Sequence, residues 1–297
     1  MKNNYRSGFV AMIGRPNVGK STLLNQIMKE KVVIISNKPQ TTRNIIRLIY
    51  TQPDYQIIFI DTPGIHKPKN RLGEYMVNAA KQTLNEVDVV VFLVDESMNI
   101  GPGDQYILEM LKDVKTPVLL VINKIDLLTK EQLLEKIALY KHIKSIDEII
   151  PVSARNHENI EKLMEVIANK LPIGPQYFPE DMIIDQPEKK IVEELVREKA
   201  LQLLQQEVPH GIATEVISMK ERKGRNLIDI DINIYCEKNS HKGIIIGKQG
   251  KMLKEIGQRA RKDIENLLGI KVNLQLWVKV KPDWRNKFRE LKDLGYQ

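Results

Sequence analysis

The sequence predicts an α/β domain, a mostly parallel sheet covered by helices, followed by a smaller α+β domain. Three observations carry this. Through Leu171, short apolar runs alternate with helical segments, the pattern of parallel strands joined through helices. Pro172-Ile173-Gly174-Pro175 then breaks the pattern. After Glu188 the order becomes one helix, two strands, two helices around a glycine pair, and a last strand. A length of 297 residues suits two domains. They are placed at 1–172 and 188–297, with the proline-punctuated, acidic stretch 173–187 as a linker or an extended arm packed on a domain.

The first strand is Phe9-Val10-Ala11-Met12-Ile13, and a helix begins near Thr22. Between them lies Gly14-Arg15-Pro16-Asn17-Val18-Gly19-Lys20-Ser21. A Gly-x-x-x-x-Gly-Lys-Ser loop between strand and helix is a phosphate cradle: its glycines let main-chain N–H groups and the helix N-terminus face an anion. Lys20 is expected to reach the β- and γ-phosphates, and the Ser21 hydroxyl to bind Mg²⁺.

Three later strands end in polar residues, where open parallel sheets place their ligands. Ile57–Ile60 runs into Asp61-Thr62-Pro63-Gly64-Ile65. Asp61 is expected to hold Mg²⁺ through water, and the Gly64 N–H to meet a γ-phosphate. Val118–Ile122 runs into Asn123-Lys124-Ile125-Asp126. The Asp126 carboxylate can accept from guanine N1–H and N2–H₂, whereas adenine would leave it unpaired, so the nucleotide expected is GTP or GDP. Asn123 would brace the loop and the Lys124 stem would lie against the base. Ile149-Ile150 runs into Pro151-Val152-Ser153-Ala154, whose backbone could contact guanine O6.

These segments, in this order, resemble the conserved boxes of a GTPase. The remaining box, switch I, falls at Gln40-Thr41-Thr42-Arg43. Thr42 is assigned the Mg²⁺-binding hydroxyl, with Thr41 as runner-up. Arg43 is either a cis arginine or a solvated one. Ile65 stands where many small GTPases place a water-orienting glutamine, and it cannot hydrogen-bond water, so unaided hydrolysis should be slow. His66 reads as a solvated loop residue.

Composition narrows the class. The longest apolar runs are far short of a membrane span. Met1–Arg6 leads directly into the first strand, so no signal peptide is expected. One cysteine, Cys236, excludes an internal disulfide, implies no disulfide-linked partner and suits a reducing cytoplasm. Net charge is +8, and its distribution says more. Residues 238–292 hold 15 Lys or Arg against 5 Asp or Glu, a local excess of ten, which is the footprint of a nucleic-acid surface.

In that second domain, Ile191, Leu195, Ala200, Leu203 and Leu204 suggest an amphipathic helix. Ile212–Lys220 and Asn226–Cys236 read as strands joined by a hairpin turn. Gly247-Lys248-Gln249-Gly250 sits between helices. A long helix follows near Lys251–Leu268, and a strand near Lys271–Val280. The order resembles a type II KH domain, whose Gly-x-x-Gly loop clamps nucleotide backbone. Gly247 and Gly250 would admit phosphates, with Lys248, Gln249 and Lys251 as donors. The lead-in His241–Ile246 would form part of the groove for bases. In the tail, Trp284 and Phe288 stand at i, i+4 and are expected to pack on the domain.

A P-loop GTPase domain with this Thr-Thr-Arg switch, followed by a type II KH module, resembles the Era family, and the resemblance spans essentially the whole chain. It implies GTP hydrolysis, binding to the 3′ end of 16S ribosomal RNA, and a role in maturation of the 30S subunit. It also implies a cytoplasmic protein, with peripheral membrane association in some members. In the related MnmE-type GTPases an asparagine at the position of Asn17 helps hold K⁺, which could supply the charge an arginine finger supplies elsewhere. Here Asn17 either holds such an ion, as a catalytic residue, or only caps the loop. The competing reading is an RNA-binding adaptor in which nucleotide is mainly structural.

Overall fold

The computed structural model describes residues 4–36, 38 and 41–296. Gln40, assigned above to switch I, lies outside them. The chain divides into two units. One comprises the described residues up to Ile35, Thr42–Lys69 and Gly73–Asp185; the other comprises Ser36, Lys38, Thr41, Asn70–Leu72 and the residues from Gln186 on.

The first unit is a six-stranded sheet. Its strands are β1 (Arg6–Gly14), β2 (Ile46–Thr51), β3 (Tyr55–Asp61), β4 (Val89–Val94), β5 (Val118–Ile122) and β6 (Glu148–Pro151). They run in the order β2-β3-β1-β4-β5-β6, all parallel except β2, which pairs antiparallel with β3. Helices α1 (Lys20–Met28), α2 (Arg71–Leu84), α3 (Pro102–Leu111), α4 (Lys130–Tyr140) and α5 (Ile160–Lys170) connect them. Every residue of β4 and β5 is buried. That is why these runs are apolar without alternation: helices cover both faces. Alternate residues feed two cores. Val10, Met12, Leu23, Phe59, Val91 and Leu163 fill one, and Ala11, Ile13, Ile65, Phe92, Leu120 and Tyr140 the other.

Residues 173–185 form a packed arm of this unit rather than a free linker. Ile49 N–H donates to the Ile183 carbonyl at 2.8 Å and Asp185 N–H to that of Arg47 at 3.0 Å. The buried Gln56 side chain accepts from the Tyr177 and Phe178 N–H groups at 2.9 and 3.0 Å. The arm covers the open edge at β2, which would otherwise present unpaired main chain.

The second unit holds α6 (Glu188–Leu203), β7 (Ala213–Glu221), β8 (Leu227–Cys236), α7 (Asn239–Ile246), α8 (Lys251–Leu268), β9 (Lys271–Val280) and α9 (Phe288–Asp293). β7 and β8 are antiparallel, with a bulge between Val216 and Ser218. β8 and β9 are parallel, a pairing that needs a crossover, and α7 with α8 provides it. Val192, Val196, Ile230, Ile232, Ile256, Ala260 and Ile264 form the core. Buried Arg197 pairs with Glu194 and donates to the Thr41 carbonyl. Cys236 is a buried free thiol.

The tail corrects one expectation. Trp284 is fully buried, donates from Nε1 to the Gly211 carbonyl at 2.9 Å and stacks on Tyr296. Phe288 is 69% exposed. Lys287 between them is extended, so the two aromatics never share a helix face.

Candidate nucleotide site and glycine-loop cleft

The four polar segments fall at the C-terminal ends of β1, β3, β5 and β6, on one rim of the sheet. Gly19 is the N-cap of α1 at φ 99°, and a Cβ there would overlap the Asn123 amide nitrogen. Glycine is therefore needed twice, for the left-handed backbone and for the approach of the Asn-Lys-Ile-Asp segment. Asn123 is the brace expected of it. Its Nδ2 donates to the Val18 carbonyl at 2.9 Å, and its Oδ1 accepts from Lys124 and Ala154 N–H at 2.8 and 3.0 Å. Within the Pro151–Ala154 backbone, expected to reach guanine O6, the Ala154 N–H is thus directed at Asn123. Asp126 lies in a short turn, Ile125–Leu127, where the Ser153 hydroxyl donates to it at 2.6 Å. That bond fixes the carboxylate's orientation while its remaining lone pairs can still accept.

Ser21, Thr42 and Asp61 converge. The Thr42 hydroxyl lies 3.5 Å from that of Ser21 and donates to Asp61 Oδ2 at 3.1 Å. Asp61 is wholly buried, and its Oδ1 has no hydrogen-bond donor among the described residues. Burial pushes the carboxyl up to about 6, against the Lys20 charge and the Thr42 hydrogen bond. Lys20, also buried, donates to the Gly14 carbonyl at 3.1 Å, and burial holds its pKa below the usual lysine range. A buried carboxylate oxygen lacking a donor, beside two hydroxyls, is a set of hard oxygen groups suited to Mg²⁺ with its waters. Thr41 turns elsewhere: its hydroxyl donates to the Lys38 and Ser36 carbonyls at 2.6 and 3.2 Å.

The remaining residues of the site take defined places. The Thr62 hydroxyl ties β3 to the Met12 carbonyl at 2.8 Å. Gly64 abuts Pro16, where a Cβ would come within 3.1 Å. Ile65 is fully buried and donates its N–H to the Gly14 carbonyl at 3.1 Å. It serves the core, not the reacting water. Asn17 is exposed at φ 67°, on the lip of the loop. Arg43 is only 1% exposed, so it is not the solvated switch arginine that was one of the two expectations.

In the second unit, Gly247 (φ 73°), Gln249 (φ 52°) and Gly250 (φ 76°) turn the chain sharply into α8. Lys248, Gln249 and Lys251 are exposed there, with no acidic residue in the first turn of α8. Beside the loop is a cleft of about 440 Å³, lined by Gly250, Leu253, Lys254, Gly257, Arg261 and Leu276 among others. It runs between α8 and β9. His241–Ile246, expected to form part of the groove for bases, lies in α7 and does not line this particular cleft.

Two family patterns match the chain: that described as "50S ribosome-binding GTPase" over residues 9–124, and "KH domain" over residues 207–285. GTPase Era of Alkaliphilus metalliredigens is 60% identical over 294 residues, covering 99% of this chain and all of that protein. This chain belongs to the Era family of GTPases. GTPase Era of Clostridioides difficile is 54% identical across 98% of the chain and 99% of that protein. Two solved Era structures align at 43% identity, each covering 98% of this chain and 99% of the other. One, in complex with MgGDPNP and nucleotides 1506–1542 of 16S ribosomal RNA, has a TM-score of 0.95. The other, an Aquifex aeolicus Era variant bound to GDP and AlF₄⁻, has a TM-score of 0.94. GTP binding and hydrolysis follow for this member of the family.

Sequence reasoning missed two sets of residues in this Era-family chain. Arg15 was read as part of the phosphate loop, and the partners of its side chain, Asp104, Asp95 and Ser97, were not foreseen. Asp95 directly follows the apolar run Val89–Val94, the same position from which the other boxes were read, and that signal could have found it. The cleft residues Leu253, Lys254, Gly257 and Arg261 were also missed. They recur at helical spacing on one face of α8, with a glycine facing the sheet.

Proposed function

We propose that the chain is a Mg²⁺-dependent GTPase that binds the 3′ end of 16S ribosomal RNA through its second unit and acts in maturation of the 30S subunit. The observation that carries the nucleotide half is the convergence of Ser21, Thr42 and Asp61 around an oxygen with no donor. Ser21 and Thr42 would hold the metal directly and Asp61 through water; bound there, Mg²⁺ would neutralise charge on the β- and γ-phosphates. The chain's own groups do the rest. Main-chain N–H groups of 14–22 cradle phosphate, Lys20 neutralises it, and Asp126 selects guanine. Burial of Ile65 leaves the water without a side-chain partner at that position, consistent with slow intrinsic turnover. Asn17, exposed on the loop lip, is the side chain that would face a K⁺ ion supplying positive charge to the transition state.

The RNA half rests on the glycine loop, its exposed Lys248 and Lys251, and the cleft with Lys254 and Arg261. Apolar Leu253 and Leu276 would meet base faces while the basic groups track phosphate. Nucleotide state would bias RNA affinity through contacts that differ between the GTP and GDP forms.

The test is a titration with a single-stranded RNA of the 16S 3′ end, in GDP and in a non-hydrolysable GTP analogue. Gly247 is a poor control site, because a Cβ there would meet Met252 at 2.6 Å. Lys254→Glu and Arg261→Glu change exposed side chains instead. Nucleotide-dependent binding lost in both variants supports the proposal. Binding indifferent to nucleotide, with turnover indifferent to RNA, would leave an RNA-binding adaptor in which the nucleotide is structural.

A further inference from the structure

An ionic cluster built on the buried carboxylates Asp95 and Asp104 adjoins the phosphate loop, and the chemistry of hydrolysis does not use it. Arg15, the second residue of the loop, directs Nε at both Asp104 oxygens (3.1 and 3.0 Å). Its Nη2 donates to Ser97 Oγ at 2.9 Å and to Asp95. Asp95 accepts in turn from the Ser97 hydroxyl and N–H at 2.7 and 3.1 Å. Its other oxygen lies 3.8 Å from Lys124 Nζ, which also pairs with Glu96 at 2.9 Å. Behind these, Lys136 donates to the Ser97 carbonyl and sits 5.8 Å from the centre of the Tyr140 ring. Asp104, Lys136 and Tyr140 are each 1% exposed and Asp95 is 6% exposed.

Burying this much charge is an inefficient way to stabilise a fold, since well-packed apolar side chains often do as well or better. Its distinctive property is direction. A forked guanidinium held by two carboxylates has one orientation, so the main chain at Arg15 is fixed relative to β4 and α3. At its other oxygen Asp95 faces the Lys124 ammonium across 3.8 Å, a charge attraction without a hydrogen bond, while Glu96 holds the same ammonium at 2.9 Å. Lys124 is left-handed, at φ 62°, between the brace Asn123 and the base-selecting Asp126. We infer that Asp95 is a positioning residue that ties the phosphate loop to the guanine-recognition turn, through Arg15 on one side and Lys124 on the other. Asp104 positions only the phosphate-loop half. The inference rests on the guanine-nucleotide reading of the site, and GDP binding by the unmodified protein tests that reading separately.

Inosine diphosphate lacks the 2-amino group that donates to Asp126, so the ratio of IDP to GDP dissociation constants reports the geometry of the guanine turn. Both constants would be measured on the full chain at pH 7, with thermal melting as a check on folding. Asp95→Asn is expected to weaken GDP about tenfold, in line with one lost charge-assisted bond, and to reduce the IDP/GDP ratio severalfold. Asp104→Asn is expected to weaken GDP while leaving the ratio at its wild-type value. Ser97→Ala removes only the hydroxyl that orients Asp95. It is the milder variant and should shift the ratio in the same direction. Asp95→Asn and Ser97→Ala proteins that stay folded and keep both GDP affinity and the ratio unchanged would overturn the inference. A ratio that falls equally in Asp104→Asn would do so too.

Discussion

The Thr42 hydroxyl donates to the Asp61 carboxylate at 3.1 Å, with both side chains buried, and the second Asp61 oxygen has no donor among the described residues. One carboxylate is therefore held in place and left under-satisfied at once. This is costly for the fold and useful for a cation, since the penalty of a buried anion is relieved when positive charge arrives.

Stability without nucleotide should fall as pH rises through the Asp61 titration. The folded pKa, about 6, lies above the ordinary 3.8, so the native state binds the proton more tightly. Asp61 is neutral and harmless below about pH 4, and its penalty grows until the pH passes 6, reaching on the order of 3 kcal/mol. Asp61→Asn should remove that slope. Denaturant melts of nucleotide-free protein should show the variant more stable than wild type at pH 8 and nearly equal at pH 4. Parallel pH profiles for the two proteins would contradict the assignment.

Thr42 and Thr41 should separate cleanly. Thr42→Ala removes the hydroxyl beside Ser21 and Asp61 and is expected to lower kcat for GTP by tenfold or more, a typical scale for one lost electrostatic group. Thr41→Ala removes hydroxyl bonds to the Lys38 and Ser36 carbonyls only and should change kcat less than threefold. Steady-state phosphate release in saturating Mg²⁺ decides between them, and equal losses would return switch I to ambiguity.

Asp126→Asn should exchange one base for another. The carboxylate offers only acceptors, which suits the two N–H groups on the guanine edge. The carboxamide offers one acceptor and one donor, which suits xanthine, with N1–H beside O2. Ser153 can still donate to the amide oxygen, so the turn is retained. Guanine nucleotide affinity is expected to drop by about a hundredfold or more, and xanthine nucleotide affinity to rise. A variant that loses both would mean the turn had collapsed.

The boxes were legible in the sequence because each needs particular residue types at a strand end: glycine where a Cβ would collide, asparagine where three main-chain groups need one brace. The two-domain order was legible for a similar reason, as apolar runs give way to alternation after Glu188. Pairings distant in the chain were not legible. Nothing local says that Arg15 meets Asp104, 89 residues away, or that Gln56 holds the arm at Tyr177. Helical spacing suggested that Trp284 and Phe288 both pack on the domain; Trp284 does, and one extended residue, Lys287, turns Phe288 out to solvent. The cleft between α8 and β9 was hidden because it depends on what lies opposite Gly257.

Asn17 makes a salt-specific prediction. If its exposed side chain holds K⁺ against the phosphates, GTP turnover should be several times faster in KCl than in NaCl at equal ionic strength, by added positive charge at the transition state. Asn17→Ala should erase the difference. Equal wild-type rates in the two salts would leave Asn17 as a loop cap.

Gly257 offers the sharpest test of the cleft, because RNA affinity should fall while the fold is kept. It sits mid-way along α8, where glycine costs a helix about 1 kcal/mol relative to alanine. A Cβ there would stand 3.3 Å from Leu276 Cδ1, the far end of a side chain, across the floor of the cleft. In Gly257→Leu the gain in helix propensity offsets the displacement of Leu276, so the protein should stay folded with a melting temperature near that of the unmodified chain. The same side chain fills the space between α8 and β9 where a base would rest, so affinity for the 16S-derived RNA should fall about tenfold. GTP hydrolysis without RNA should be unchanged, since the substitution lies outside the nucleotide unit. RNA affinity that survives in a folded Gly257→Leu protein would move the RNA site away from this cleft.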